Sequence, residues 1–207
     1  MHSRVGFPVL VIASIFACNA SANEPAKPSS PAECRSPSLG AFGKEIKGIL
    51  ARSEKAGKNP HESWSKDATF RKLAANPKST LTKVELTLRC SPPTDPSQVE
   101  IASLALQCLD LQAYLDYVKR LAKAPKSDAM GWAIFHAIVP GPRWSTRLAL
   151  SYTNAEVSST LKEIIRAPNV SLALKKIISE ILDGSAKKEL EKNPVKPLLA
   201  CGSGSRG

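Results

Sequence analysis

The sequence predicts an all-α fold: a single domain of about eight to ten short antiparallel helices held by two disulfides. Three observations support this. The body of the 207-residue chain is rich in alanine, leucine, isoleucine, lysine and glutamate, and an aromatic content of 5% leaves little material for strands. Apolar residues recur at intervals of three and four. Proline and glycine separate these periodic segments, and Asp, Ser or Asn often begins the next one.

The first three helices are bounded by proline. Phe42, Ile46 and Ile49 recur at helical spacing in the first, and Asn76-Pro77 ends the second. The third includes Leu81–Leu88, which also alternates as a strand would and is the one place where a strand is an alternative. The predicted segments, in order, are Leu39–Lys55, Glu62–Ala75, Ser79 or Thr80 to Cys90, Ser97–Leu109, Leu111–Lys123, Ala129–Val139, Arg143–Tyr152, Ala155–Arg166, Val170–Leu182 and Ser185–Lys192.

The later helices carry capping signals. Asp95, followed by proline, opens the fourth, which is apolar on nearly every face and is predicted to be central. Asn154 and Asn169 are predicted N-caps, and Gly184 is a C-terminal stop. Over Asp95–Gly184 this rhythm of Ala-Pro or Asn-Pro endings resembles the paired helices of HEAT-like α-solenoids. An irregular helical bundle explains the same pattern.

Residues 1–22 have the layout of a secretory signal peptide. A short start with one arginine precedes an apolar run over Val5–Ala17, and small residues at Ala20 and Ala22 precede Asn23. As a helix the run would span ~20 Å, short of a ~30 Å hydrocarbon core. The sequence therefore predicts export to the periplasm or beyond the cell, with no transmembrane span in the mature chain.

The rest of the chain divides into three parts. Residues 23–38 are a proline- and serine-rich linker, 39–201 are the all-α domain and 202–207 are a flexible tail. A competing interpretation of the signal concerns Ile15–Cys18, which resembles the lipobox of bacterial lipoproteins. Acylation of Cys18 would then anchor the protein to a membrane by a lipid.

The charge favours anionic partners. Residues 1–22 contain one arginine and no acidic residue, so the remainder carries +10 of the chain's formal charge of +11. In an exported protein this favours an anionic envelope component or an acidic protein and makes nucleic acid an unexpected partner. The alternative is that the lysines are spread over solvated helix faces.

Cys34, Cys90, Cys108 and Cys201 follow the signal. An even number in an oxidising compartment predicts two disulfides, and four cysteines allow three connectivities. Cys90 and Cys108 end successive helices, whose ends would be ~20 Å apart if the helices are antiparallel. The preferred pairing is Cys34–Cys90 with Cys108–Cys201.

No motif indicates chemistry. His61 at the entrance to the second helix, and His136 on a largely apolar helix, are each predicted to be structural, the latter hydrogen-bonded once. The spacing typical of zinc ligands is absent, as are Gly-x-Ser-x-Gly and a phosphate-binding glycine loop. No catalytic, cofactor-binding or metal-binding residue is predicted. A hydrolase would need carboxylates that converge only in the fold, with Glu45, Glu54, Glu62 and Asp67 as candidates.

The residue types around Pro140-Gly141-Pro142 are those enriched at binding hot spots. Trp132, Arg143, Trp144 and Arg147 are therefore the predicted protein-binding residues, with a core role for the tryptophans as the alternative. We expect an exported α-helical binding protein, such as an inhibitor or immunity-type protein acting on an envelope-targeted partner. The alternatives are an envelope hydrolase and a basic scaffold that binds anionic lipid or wall polymer.

Overall fold

A computed structural model describes residues 31–56, 60–140 and 146–194 of the chain. These residues form α-helices and one 3-10 helix, with no strand among them, so the all-α prediction is confirmed. In chain order the elements are α1 (Pro31–Cys34), α2 (Pro37–Ala56), α3 (Pro60–Lys66), α4 (Ala68–Ala75), α5 (Pro77–Cys90), α6 (Pro96–Ala105), the 3-10 helix (Leu106–Cys108), α7 (Leu111–Lys123), α8 (Asp128–Ile138), α9 (Thr146–Leu150), α10 (Ala155–Ile164), α11 (Leu172–Leu182) and α12 (Ser185–Lys192).

The described ranges hold more helices than the eight to ten expected. The predicted segment Glu62–Ala75 is two helices, because Asp67 ends α3 and caps α4. The Asp67 carboxylate accepts backbone N–H bonds from Thr69 at 2.8 Å and Phe70 at 3.1 Å. It also pairs with Arg52 of α2 at 2.7 Å. In addition, α1 and the start of α2 fall within the segment predicted as linker.

The strand alternative over Leu81–Leu88 is wrong, since the segment lies in α5. The buried residues of this helix are Thr80, Val84 and Leu88, which are four apart and share one face. This spacing of four predicts a helix more strongly than the apolar residues at every second position, Val84, Leu86 and Leu88, predict a strand.

The caps at Asp95 and Asn154 are confirmed, and the cap at Asn169 is wrong. Ser171 caps α11 instead. Asn169 is buried, and its amide nitrogen donates to the carbonyl oxygens of Leu121 at 3.1 Å and Ala124 at 2.8 Å. Its side-chain oxygen accepts from the backbone N–H of Ser127 at 3.3 Å. Asn169 thus joins the end of α7 to the start of α8, which is a tertiary role that capping statistics do not predict.

One hydrophobic cluster extends from Phe42 in α2 to Leu190 in α12. Helix α6 is central, as predicted, because six of its ten residues are buried and it packs on α2, α4, α5 and α8. The predicted continuation of this segment to Leu109 is a 3-10 turn instead. The described helices do not establish a HEAT-like repeat. No helix in the described part combines the length and apolar character that crossing a bilayer requires.

The Cys34–Cys90 disulfide is confirmed, with Cα atoms 5.2 Å apart. It holds α1 against the C-terminal end of α5. Several predictions concern residues outside the described ranges: the signal peptide and Cys18, residues 23–30 of the linker, Arg143 and Trp144, and Cys201 with the tail at 202–207. The Cys108–Cys201 pairing therefore stays a prediction.

Candidate functional site

Two of the four predicted protein-binding residues lie in the described ranges. Trp132 is half-buried in α8 and packs against the core. Arg147 in α9 is also half-buried, and its guanidinium donates to the carbonyl oxygens of Gln107 at 3.3 Å and of Leu109. The Arg147 guanidinium carbon lies 5.7 Å from the centroid of the Tyr114 ring. Arg147 therefore holds α9 against the turn before α7. Its guanidinium uses part of its hydrogen-bonding capacity within the protein, so that part is not offered to a partner.

An apolar pocket opens between α2, α5 and α6. It encloses about 350 Å³ including the space at its mouth. Its wall contains no charged residue; the lining residues are Phe42, Gly43, Ile46, Val84, Thr87, Leu88, Pro93, Gln98, Val99 and Ala102. The Thr87 hydroxyl already donates to the carbonyl oxygen of Lys83 at 2.7 Å. An apolar wall with few polar groups is typical of sites that receive a small apolar group.

Helix packing explains why this pocket exists. Phe42 and Ile46 lie on the buried face of α2, Val84 and Leu88 on that of α5, and Val99 on α6. Gly43 has no side chain, and a Cβ added there would meet no atom within 4 Å. The sequence does not predict this pocket, because a gap between three helices depends on their crossing geometry, which residue types do not reveal.

A second feature joins the two histidines to one carboxylate. His61 Nε2 of α3 lies 3.4 Å from Glu100 Oε1 of α6, and His136 Nδ1 of α8 lies 3.9 Å from the same oxygen. The three side chains are between 15% and 18% exposed. The His61 ring is tilted against Trp64, with centroids 4.9 Å apart. The sequence predicts a structural role for each histidine and does not indicate that both converge on Glu100.

Burial favours the neutral form of all three groups in this His61–Glu100–His136 cluster. It lowers the pKa of His61 and of His136, and the nearby His61 lowers the pKa of His136 further. Burial also raises the pKa of Glu100. The cluster could accept or donate protons. None of its residues lines the apolar pocket, so the two features are separate.

The carboxylates proposed for a hydrolase are not brought into a facing pair by the contacts described. Asp67 is bonded to Arg52, which holds the pKa of Asp67 below its usual value. Glu62 pairs with Lys66 one turn away at 2.5 Å. Glu54 is exposed on α2 and Glu45 is half-buried there.

Within the described ranges, no three His, Cys, Asp or Glu side chains are arranged to hold a metal ion. Comparisons with protein-family models, with curated proteins and with solved structures find no match for this chain. The chemistry of its own residues is therefore the basis for the proposals below.

Proposed function

We propose that this chain is an exported α-helical binding protein, and that the pocket between α2, α5 and α6 holds an apolar group of its partner. The pocket carries this proposal: an open apolar site on a helical scaffold, with a wall free of charge. The partner is an envelope component or an envelope-targeted protein.

Two further features support export. The sequence of residues 1–22 has the layout of a signal peptide, and a disulfide such as Cys34–Cys90 persists in oxidising compartments. We propose a second bridge, Cys108–Cys201, and either a free mature chain or one anchored through an acylated Cys18. The formal charge of +10 after residue 22 suits an anionic envelope surface.

Filling the pocket tests the proposal. The Gly43→Leu variant places an isobutyl group where an added Cβ meets no atom within 4 Å. We expect the wild-type protein to bind the neutral apolar dye N-phenyl-1-naphthylamine with a rise in fluorescence. Gly43→Leu should weaken that binding by about tenfold or more, because the side chain occupies the space that the dye would use.

Gly40→Leu is the matched control. Gly40 also lies in α2, an added Cβ there is equally free of contacts, and Gly40 does not line the pocket. Both substitutions raise helix propensity in the same way. Equal dye binding by the two variants, with unchanged far-UV circular dichroism, would refute the pocket as the binding site.

A further inference from the structure

We propose that one end of the molecule docks on a bilayer that carries anionic phosphate headgroups, with Leu172 entering the boundary between headgroups and acyl chains. We call this surface the basic end and define it as residues 123–128 and 163–176. The pocket lies between α2, α5 and α6, which are other helices. The inference therefore goes beyond the proposed function and does not depend on the pocket.

Asn169 brings the two ranges of the basic end together. Its buried side-chain nitrogen donates to the carbonyl oxygen of Ala124 at 2.8 Å, and its side-chain oxygen accepts from the backbone N–H of Ser127 at 3.3 Å. The segment before α11 thus lies against the turn between α7 and α8. Lys123 of α7 also pairs with Glu163 of α10 at 2.7 Å. Several elements therefore build this surface together.

The basic end has a formal charge of +3. It contains five basic side chains and two acidic ones, namely Lys123, Lys126, Arg166, Lys175 and Lys176 against Asp128 and Glu163. Apart from Lys123, no cation of this set lies within ion-pair distance of a carboxylate among the described residues. Four of the five are lysines, which act as point charges and suit the diffuse negative potential of an anionic bilayer.

Leu172 favours a bilayer over an acidic protein as the partner. It is 83% exposed, more than any other large apolar residue in the described ranges, and Ala173 beside it is exposed as well. Lys175 and Lys176 follow three and four positions later on α11, so they share its face. An apolar residue next to cations is typical of helices that lie at a membrane interface. A bilayer accepts a single leucine without a complementary pocket, whereas a protein partner needs one.

Co-sedimentation with sucrose-loaded vesicles tests the proposal. The oxidised chain from Asn23 onward contains every described helix and lacks the apolar run of residues 5–17. It should bind vesicles of phosphatidylcholine with phosphatidylglycerol and should not bind phosphatidylcholine alone. Binding should fall as NaCl rises from about 0.05 to about 0.5 M. Replacing Lys175 and Lys176 together by glutamine should weaken binding by about tenfold or more, since each cation at the surface contributes about fivefold.

Lys44→Gln combined with Lys47→Gln is the matched control for charge. Both lysines are exposed on α2, which packs on α3, α4, α5 and α6. This pair removes the same charge and should weaken binding by about twofold or less, because charges farther than a Debye length from the bilayer are screened. Equal losses for the two double variants would overturn the proposal, since total charge and not the basic end would then govern binding.

Leu172→Gln tests the apolar contact. It should weaken vesicle binding by about fivefold. Leu150→Gln is its control and should leave binding unchanged, because Leu150 is 53% exposed on α9 and lies outside the basic end. The proposal fails if the anionic vesicles are not bound, or if Leu172→Gln binds them as the wild type does, which would indicate an acidic protein instead. Gly43→Leu should bind vesicles normally, so failure of the pocket and failure of this proposal can be distinguished.

Discussion

Glu100 lies between two imidazoles that are separated from it in the sequence by more than thirty residues on either side. Pattern analysis compares residues a few positions apart, so it assigns His61 and His136 separately and finds no partner for either. Only the packing of α6 on α8, together with the position of the first turn of α3, brings them to one carboxylate.

This cluster predicts a dependence of stability on pH. Folding lowers the pKa of both histidines, so their contribution to stability is present above the unfolded value of about 6.5 and is lost as the pH falls through the folded values. Each histidine can change the free energy of unfolding by at most ~1.4 kcal/mol per pH unit. His136→Gln should therefore reduce the loss of stability between neutral pH and pH 5, measured by urea unfolding.

Glu100→Gln should alter the pH dependence of stability in the direction opposite to His136→Gln. Folding raises the pKa of Glu100, so its contribution is present below the unfolded value and is lost as the pH rises through the folded value. The amide removes that loss, and it also removes the negative charge that would stabilise protonated imidazoles. Glu100→Gln should thus steepen the loss of stability on acidification. Parallel pH profiles for wild type and both variants would show that the cluster does not titrate with folding.

At the scale of elements, the sequence predicts helix boundaries well where a capping residue or a glycine marks them. Leu111–Lys123 and Ser185–Lys192 have the predicted bounds, because Asp110 caps the first and Gly184 precedes the second. The sequence does not predict the break within Glu62–Ala75, because Asp67 is held there by Arg52 of α2, which lies outside the segment. Local propensity thus predicts most boundaries, and tertiary contacts decide the others.

The boundary between α11 and α12 depends on the backbone conformation of Gly184. It has a φ of 79°, and a Cβ added there would lie 2.9 Å from Cε2 of Tyr152. Gly184→Ala should lower the free energy of unfolding by about 2 kcal/mol, because it adds backbone strain and a clash. Thermal or urea unfolding measures the change.

Gly131→Ala in α8 is the control for that variant. Its added Cβ would meet the carbonyl oxygen of Asn169 at 3.8 Å, which is an ordinary contact. It should raise the free energy of unfolding by about 0.5–1 kcal/mol, as expected for glycine in a helix. If the two variants change stability in the same direction, the account of Gly184 is wrong.

At the scale of the molecule, α6 connects the two features. Gln98, Val99 and Ala102 line the pocket, while Glu100 faces the histidines. A helix with more than half of its residues buried can present two different faces, because neighbouring residues on a helix point about 100° apart. The apolar composition of this segment predicts its central position. The neighbours on each face depend on packing, which composition does not encode.

The Cys34–Cys90 disulfide is expected to stabilise the whole fold, and removing it tests this expectation. It closes a loop with a sequence separation of 56 residues, and α1 has only four residues with which to hold the start of the fold. Replacing both cysteines by alanine should lower the free energy of unfolding by about 2–4 kcal/mol, chiefly because the unfolded chain gains freedom. Urea unfolding measures this loss, with Ser91→Ala as a control at an exposed neighbour of Cys90.

Limited proteolysis distinguishes two ways in which the loss of stability could arise. Cleavage confined to α1 would indicate that α1 detaches locally, whereas cleavage across α2 and α5 would indicate global destabilisation. We expect the second pattern, since the bridge links α1 to a helix that packs on α2, α4 and α6. An unchanged urea midpoint for the double variant would show that the bridge does not stabilise the fold.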